Sequence, residues 1–160
     1  MESFIQAVSK FTNNPASYVG KVVKITGNTC EVEREGGLPN LEDVRLNAIE
    51  GNLTNKIIIF PKIGSEVLCL IIEGSKEETA VVQYTEIDRV LIELDGAKFE
   101  MSGGKFQIKN NHAEQKKITN DTLEALIAAI IQTPQGPGNF APSTVKKFQK
   151  IKTDNNNLYE

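Results

Sequence analysis

Three consecutive seven-residue blocks between Ile92 and His112 constrain the fold of this chain more than any other feature. Each block runs apolar, Glu or Gln, apolar, polar, Gly or Asn, one variable residue, and then Lys or His. Because the apolar residues lie two apart, and not three or four apart, they suit a strand rather than a coiled-coil helix. We therefore predict a single apolar strand face made of Ile92, Leu94, Phe99, Met101, Phe106 and Ile108.

Glycine recurs where each predicted strand must turn. Gly96 and Gly103 occupy the same position in the first two blocks, and Asn110 occupies it in the third. Glycine adopts the left-handed backbone of tight turns without steric cost, and asparagine tolerates that backbone. We therefore expect repeat turns at Gly96 and Gly103.

Two arrangements of these blocks fit the pattern. A sheet of three short strands is marginal on its own, whereas three chains wound around one axis would share the six apolar residues as a trimer core. The alternative is a plain β-meander that extends a neighbouring sheet within one chain. Residues 89–112 are thus predicted as a short trimeric interwound β-helix, a β-prism stub, or as a meander.

The preceding segment, residues 15–88, alternates short apolar runs with turn signals. β-Branched residues favour strands over helices in these runs, and Gly, Pro and Asn clusters separate them. Five or six short strands in so short a segment are typical of a small closed barrel, and an OB-like five-stranded barrel fits the length. The predicted strands cover residues 19–25, 29–34, 44–46, 57–60, 66–72 and 79–82.

A short helix is predicted at the N-terminal end, over residues 1–14. Its apolar residues have helical spacing, and Asn14 before Pro15 ends the pattern because a residue that precedes proline is disfavoured in a helix. This helix would pack either on its own domain or on a partner subunit. The apolar stripe consists of Phe4, Ile5, Val8 and Phe11.

The last segment, residues 113–160, is predicted to be helical. Asp121 followed by Glu124 suggests a helix start, and Ser143 suggests the cap of a second helix after a Pro/Gly-rich loop. The asparagine-rich stretch 154–157 is expected to be frayed. The chain is therefore predicted to be mainly β, with short helices at both ends.

The titratable residues give no recognisable catalytic or cofactor site. His112 is the only histidine, and Cys30 and Cys69 lie in predicted strands without a histidine nearby in sequence to activate a thiolate. One histidine per chain cannot hold a metal, but three copies of His112 around a threefold axis could supply three nitrogen ligands. We predict a non-enzymatic protein without a cofactor, in which His112 is either that threefold site or a solvated loop residue.

Charge and hydropathy disfavour two kinds of partner. The chain has a net charge of −3, and residues 1–87 hold 8 Lys or Arg against 12 Asp or Glu, which disfavours nucleic-acid binding. The longest apolar run, residues 125–131, is about a third of the roughly 20 residues that cross a bilayer. We therefore expect no nucleic-acid partner, no transmembrane segment and no secretory signal.

A barrel that leads directly into stacked strand blocks resembles the central spike family of contractile phage tails, known as baseplate assembly protein V and related to the spikes of contractile secretion systems. The resemblance is carried by NPASYVGKV at residues 14–22, VRL at 44–46 and PKIGSEVL at 61–68, followed by the blocks. It covers about residues 15–111. The order of these motifs carries the resemblance more than any one of them.

The resemblance implies a homotrimer in the baseplate of a virion tail, made in the host cytoplasm. It also implies a baseplate hub protein as partner and a mechanical task, in which sheath contraction drives the spike through a cell envelope. Many relatives end in a longer prism with paired histidines around an iron ion, whereas His112 is alone here. A separate spike-tip protein is a further implied partner.

The sequence leaves one function of another class open. An OB-like barrel without a trimeric shaft would be a monomeric binding module for single-stranded nucleic acid or a peptide. The two functions differ in the oligomeric state and in the affinity for oligonucleotides.

Overall fold

A computed structural model describes residues 17–47, 54–72 and 75–160. The helix predicted over residues 1–14 lies outside the described residues. The chain is mainly β and divides into two compact units. Among the described residues, the first unit holds 17–47 and 58–88, and the second holds 54–57 and 89–160.

The first unit contains a closed barrel of five strands in the order β1–β2–β3–β6–β5. Neighbouring strands are antiparallel except β3 and β6, which pair in parallel at Arg45 and Ala80. This closed five-stranded arrangement is consistent with an OB-like fold. The strands up to this point are β1 Ser17–Thr26, β2 Thr29–Arg34, β3 Leu41–Arg45, β4 Lys56–Pro61, β5 Glu66–Ile72 and β6 Ser75–Tyr84.

Valine and cysteine side chains fill the barrel interior. Alternate positions of β1, β2, β3 and β5 are buried, as expected for strands with one face in the core. Burial raises the pKa of the Cys30 thiol to about 12 and that of Cys69 to about 11, since an apolar surrounding disfavours the thiolate. Both thiols are therefore packing residues. The fully buried side chains of these four strands are Val22, Cys30, Val32, Val44, Val67 and Cys69.

Gly20 lets β1 and β2 approach closely. A Cβ atom at this position would lie 2.4 Å from the carbonyl oxygen of Glu33 and 2.5 Å from Cγ1 of Val32. Both distances are far below van der Waals contact, and a backbone oxygen cannot move aside as a flexible side chain can. The barrel therefore requires glycine here for steric reasons.

The second unit contains three strands that form an antiparallel meander: β7 Ile87–Leu94, which begins in the first unit, β8 Ala97–Ser102 and β9 Lys105–Lys109. The sheet order is β4–β7–β8–β9. The three blocks thus pair with one another inside one chain, as in the meander alternative. Winding of three chains around an axis stays a prediction.

Two helices and a small hairpin follow the meander. Helix α1 spans Gln115–Ala128, strands β10 Ile131–Thr133 and β11 Gly136–Gly138 form a hairpin, and α2 spans Pro142–Leu158. The prediction that the first helix starts at Asp121 is wrong. Helix α1 begins six residues earlier, at Gln115. The Asp121 carboxylate instead accepts a hydrogen bond from Nζ of Lys117 at 2.5 Å, on the helix face that the two residues share.

The second predicted cap and the frayed tail are also wrong. Pro142 takes the first position of α2 and Ala141 is the N-cap residue, because proline is pre-organised for that position and needs no partner for a missing N–H. Asn155 is buried inside α2, where its amide donates hydrogen bonds to the Lys116 carbonyl at 3.3 Å and to Oδ1 of Asn120 at 3.0 Å. Interhelical hydrogen bonds therefore order the asparagine-rich stretch.

The close approach at Gly20 gives a first prediction. Gly20→Ala should lower the free energy of unfolding by about 1–3 kcal/mol, because the added methyl group must push β1 and β2 apart. Urea denaturation measures this change. Gly138→Ala is the matched control, since its Cβ would meet nothing nearer than the Ile131 carbonyl oxygen at 3.8 Å. Equal losses of stability in the two variants would contradict the steric argument.

Candidate functional site

The register of the meander brings the six predicted core residues onto one face. Ile92 lies opposite Phe99, and Phe99 lies opposite Ile108; Met101 lies between Val90 and Phe106 in the neighbouring row. Leu94 lies opposite Ala97 at the edge of the same face. We call this surface the apolar face; it consists of Val90, Ile92, Leu94, Ala97, Phe99, Met101, Phe106 and Ile108.

The apolar face is open to solvent in a single chain. Leu94 is 58% exposed, Ile108 41% and Met101 39%. The rings of Phe99 and Phe106 contact each other with their centroids 6.0 Å apart, and both residues are half-buried. A contiguous exposed apolar surface on a sheet marks an interaction site, since water contact at these side chains opposes folding of the isolated chain.

The opposite face of the same sheet is charged and better buried. Glu100, the neighbour of Met101 in β8, is only 9% exposed. Its carboxylate lies 2.5 Å from Nζ of Lys98 and 3.4 Å from Nη1 of Arg89. The hydrogen bond from Lys98, followed by the charges of Lys98 and Arg89, lowers the pKa of the Glu100 carboxyl. The charge of Glu100 is thus compensated within the chain. The side chains of the apolar face, by contrast, stay partly exposed.

Glycines with positive φ occupy the two turns of the meander. Gly96 follows Asp95, and both have positive φ, at 82° and 48°. A Cβ at Gly96 would lie 2.6 Å from Nδ2 of the Asn111 side chain, which would have to move, and the positive φ disfavours any residue with a side chain. Asn55 fastens this turn by donating to Oδ1 of Asp95 at 2.9 Å and accepting from its backbone N–H at 2.8 Å. At the other turn, Gly103 also has positive φ, at 55°.

The helices add little apolar burial to this unit. Across its described residues, 54–57 and 89–160, Leu123 is the one buried apolar side chain. The chain returns to the meander after α2. Tyr159 forms a parallel β-bridge with Phe106, in which the backbone N–H of Glu160 donates a hydrogen bond to the Phe106 carbonyl at 2.9 Å. A single chain therefore leaves most apolar side chains of this unit only half-buried or exposed.

His112 lies in the exposed loop after β9. Its backbone N–H donates to Oδ1 of Asn110 at 2.8 Å, and Ala113 donates to the same oxygen. Within the described ranges no group of three His, Cys, Asp or Glu side chains could hold a metal ion. A threefold site of three His112 side chains stays a prediction.

The barrel surface offers one cleft of about 410 Å³ that includes an aromatic residue. The Arg34 guanidinium lies over the Tyr18 ring, 5.1 Å from its centroid, and Nε of Arg34 donates to the Pro39 carbonyl at 2.7 Å. Glu42 and Asp43 line the same cleft. These carboxylates would repel a phosphate backbone, so the cleft does not favour nucleic-acid binding.

Sequence reasoning found the apolar face but missed the buried carboxylate behind it. Glu100 and Glu93 occupy equivalent block positions, yet Glu93 pairs with Lys56 at 3.1 Å from another strand, and Glu100 sits between Arg89 and Lys98. Because side chains alternate along a strand, the sequence predicts both glutamates on the sheet face that points away from the apolar residues. Lys98 is two residues from Glu100 on the same strand, and the arrangement of neighbouring strands brings Arg89 to Glu100 and Lys56 to Glu93.

The compensated charge of Glu100 gives a second prediction. Glu100→Gln should lower the free energy of unfolding at neutral pH by about 1–3 kcal/mol, because it removes charge-assisted hydrogen bonds at a buried site. The folded-state pKa of Glu100 is below its ordinary value of 4.5, so the ionised form stabilises the fold above that value. The stabilisation is lost as the pH falls through the lowered pKa, and the two proteins should then converge.

Denaturant unfolding at several pH values checks this prediction. Glu124→Gln is the matched control, because Glu124 pairs with Lys152 at an exposed site and should contribute about 0.5 kcal/mol or less. A difference between wild type and Glu100→Gln that stays constant from neutral to acidic pH would show that the carboxylate charge is irrelevant.

Comparison with known proteins adds no family assignment. No protein-family model matches the chain, and no curated protein matches it. In the described part of the chain, neither helix is long and apolar enough to cross a membrane. The resemblance to central spikes therefore stands on the motifs of residues 15–111 and on their order along the chain.

Proposed function

We propose that this protein is a structural, non-enzymatic component of a contractile tail baseplate, a trimeric central spike that helps to pierce the target cell envelope. One observation carries the proposal: β8 exposes Met101 on its apolar face while it buries Glu100 on its charged face. Burial of this kind is inverted for a protein that works as a single chain. Sibling copies that cover the apolar face would remove the inversion.

Three copies can bury the apolar face completely. Three meanders whose apolar faces point to a common axis form a triangular prism, and each of the rows that cross the strands becomes a closed apolar layer. Phe99 and Met101, on the middle strand, would lie next to the axis, and the turns at Gly96 and Gly103 would lie at the two ends of the prism. The number three comes from the resemblance to central spikes, since two copies packed face to face would also exclude water.

The proposed shaft keeps the strand pairing that each chain already has. The backbone hydrogen bonds of β7, β8 and β9 lie within one chain, so the shared core consists of side chains. The right-handed twist of each meander would wind the three sheets around the axis. This form keeps the observed meander and winds whole sheets around the axis, whereas strands of residues 89–112 that interwind between chains stay a separate prediction.

The charged face would form the outside of the shaft. Arg89, Lys98 and Glu100 lie there, and a charged outer surface with compensated pairs resists sheet-to-sheet aggregation. The OB-like barrels would form a collar that binds the baseplate hub protein, and a spike-tip protein would be a second partner. The location would be the baseplate of a virion tail or of a related contractile particle.

The inverted burial gives a third prediction. Met101→Asp should convert the trimer into a monomer, because three carboxylates would meet in one apolar layer without a counter-charge. Native mass spectrometry should show the change from three times 17.6 kDa to a single chain of that mass. Met101 is exposed in the single chain, so the variant should still fold as a monomer, with an unchanged circular dichroism spectrum.

Ser102→Asp is the matched control, one residue along the same strand. Ser102 lies opposite Arg89 and Lys105 on the charged face, so an added carboxylate meets two cations there. This variant should stay trimeric. A wild-type protein that is monomeric, or a Met101→Asp variant that assembles like Ser102→Asp, would overturn the proposed trimer.

A monomeric wild type would instead favour the binding module. A binding module for nucleic acid would show retention of single-stranded oligonucleotides that weakens as the salt concentration rises, since phosphate contacts release counterions. The acidic residues Glu42 and Asp43 beside Arg34 predict no such retention.

A further inference from the structure

The outer edge of β9 is occupied by other segments of the same chain. In the described sheet β9 is the last strand and has β8 as its one neighbouring strand. On the other side of β9 the backbone N–H of Glu160 donates to the Phe106 carbonyl at 2.9 Å. The backbone N–H of Asn110, just after β9, donates to the Ala113 carbonyl at 2.9 Å. Backbone groups alternate between the two sides of a strand, so those of Ile108 also point to this outer edge.

Both ends of the helical segment take part in covering this edge. Glu114, the residue before α1, forms an antiparallel β-bridge with Lys109. Tyr159, the residue after α2, has an extended backbone with φ −108° and ψ 146°, and forms the parallel β-bridge with Phe106. Two short extended segments therefore lie where the residues of a further strand would lie.

Without these segments the outer edge of β9 would be open to strand addition. An uncovered strand edge presents unpaired donors and acceptors, which pair readily with a strand of another chain. Strand β9 reads KFQIK and has no proline that would prevent such pairing. A second copy offers a matching strand, because antiparallel pairing of two β9 strands around Gln107 places Phe106 of each copy opposite Ile108 of the other. Such apolar cross-strand pairs stabilise a sheet.

We propose that Tyr159 and Glu160 form an edge cap, an autoinhibitory contact that keeps β9 from pairing with β9 of a second copy. The edge cap is tethered to the meander through α2, and a tethered segment has an effective concentration in the millimolar range, far above that of free copies in a micromolar solution. Two copies that lost the edge cap would join edge to edge into one continuous sheet. The proposal does not depend on the proposed function, since it concerns the edge of the sheet and not its apolar face.

Replacement of one backbone donor tests the edge cap. Glu160→Pro removes the N–H group that donates to the Phe106 carbonyl, since proline has no backbone N–H. The extended backbone of Tyr159 is the one that a residue before proline adopts, so the change adds no strain there. Glu160→Ala is the matched control, because it removes the same side chain and keeps the N–H. Native mass spectrometry at rising protein concentration should show species with twice the wild-type number of chains for Glu160→Pro and none for Glu160→Ala.

The charges at the ends of β9 test whether the doubling uses this strand. The same antiparallel register places Lys105 of each copy opposite Lys109 of the other, and like charges directly opposite destabilise a strand pair. Lys105→Glu added to Glu160→Pro turns both contacts into ion pairs. It should lower the protein concentration at which half of the chains are in the doubled species by about tenfold. Lys105→Glu alone keeps the edge cap and should keep the wild-type mass.

Equal masses of Glu160→Pro and Glu160→Ala at every concentration, also after Tyr159→Gly is added to the proline variant, would overturn the edge cap. Doubling in both variants would overturn it as well, because Glu160→Ala retains the backbone hydrogen bond. Doubling that Lys105→Glu leaves at the same concentration would contradict pairing through β9. Each comparison counts chains relative to the wild-type protein, so it holds for a trimeric or a monomeric wild type, and its failure leaves the proposed trimer untouched.

Discussion

Burial of apolar side chains is the constraint on which the structure of the second unit depends. Among its described residues the single chain buries Leu123 almost completely and leaves the other apolar side chains half-buried or exposed. Removal of apolar surface from water is the main favourable term in folding. We propose that sibling copies cover the part of this apolar surface that lies on the apolar face of the meander.

The charged face explains why the exposed face would point towards other copies and not towards solvent. Glu100 is compensated by Lys98 and Arg89 inside one chain, so its side of the sheet needs no further partner. The apolar face, by contrast, stays partly exposed to water in the single chain. In the proposed shaft the charged side would face outwards and keep the surface hydrated. The barrel contributes differently: its valine core and the Gly20 contact make it a self-sufficient unit.

Sequence reasoning succeeded where the signal was local. Short β-branched runs between turn residues predicted the barrel strands, and apolar residues two apart predicted the apolar face. It missed the hairpin of β10 and β11, whose strands have three residues each and read as a Pro/Gly loop. It also wrongly predicted that the asparagine-rich stretch is frayed. The acceptors of the Asn155 hydrogen bonds lie in α1, more than thirty residues away in the sequence. The burial of Glu100 likewise depends on register, which no local pattern specifies.

Oxidation of Met101 tests most directly whether sibling copies cover the apolar face. Peroxide converts exposed methionine to its sulfoxide, and mass spectrometry measures the rate for each methionine separately. Met101 should oxidise slowly in the wild-type protein and much faster in Ile108→Asp, which places a carboxylate on the same face and should prevent assembly. Equal rates of Met101 oxidation in the two proteins would contradict the account.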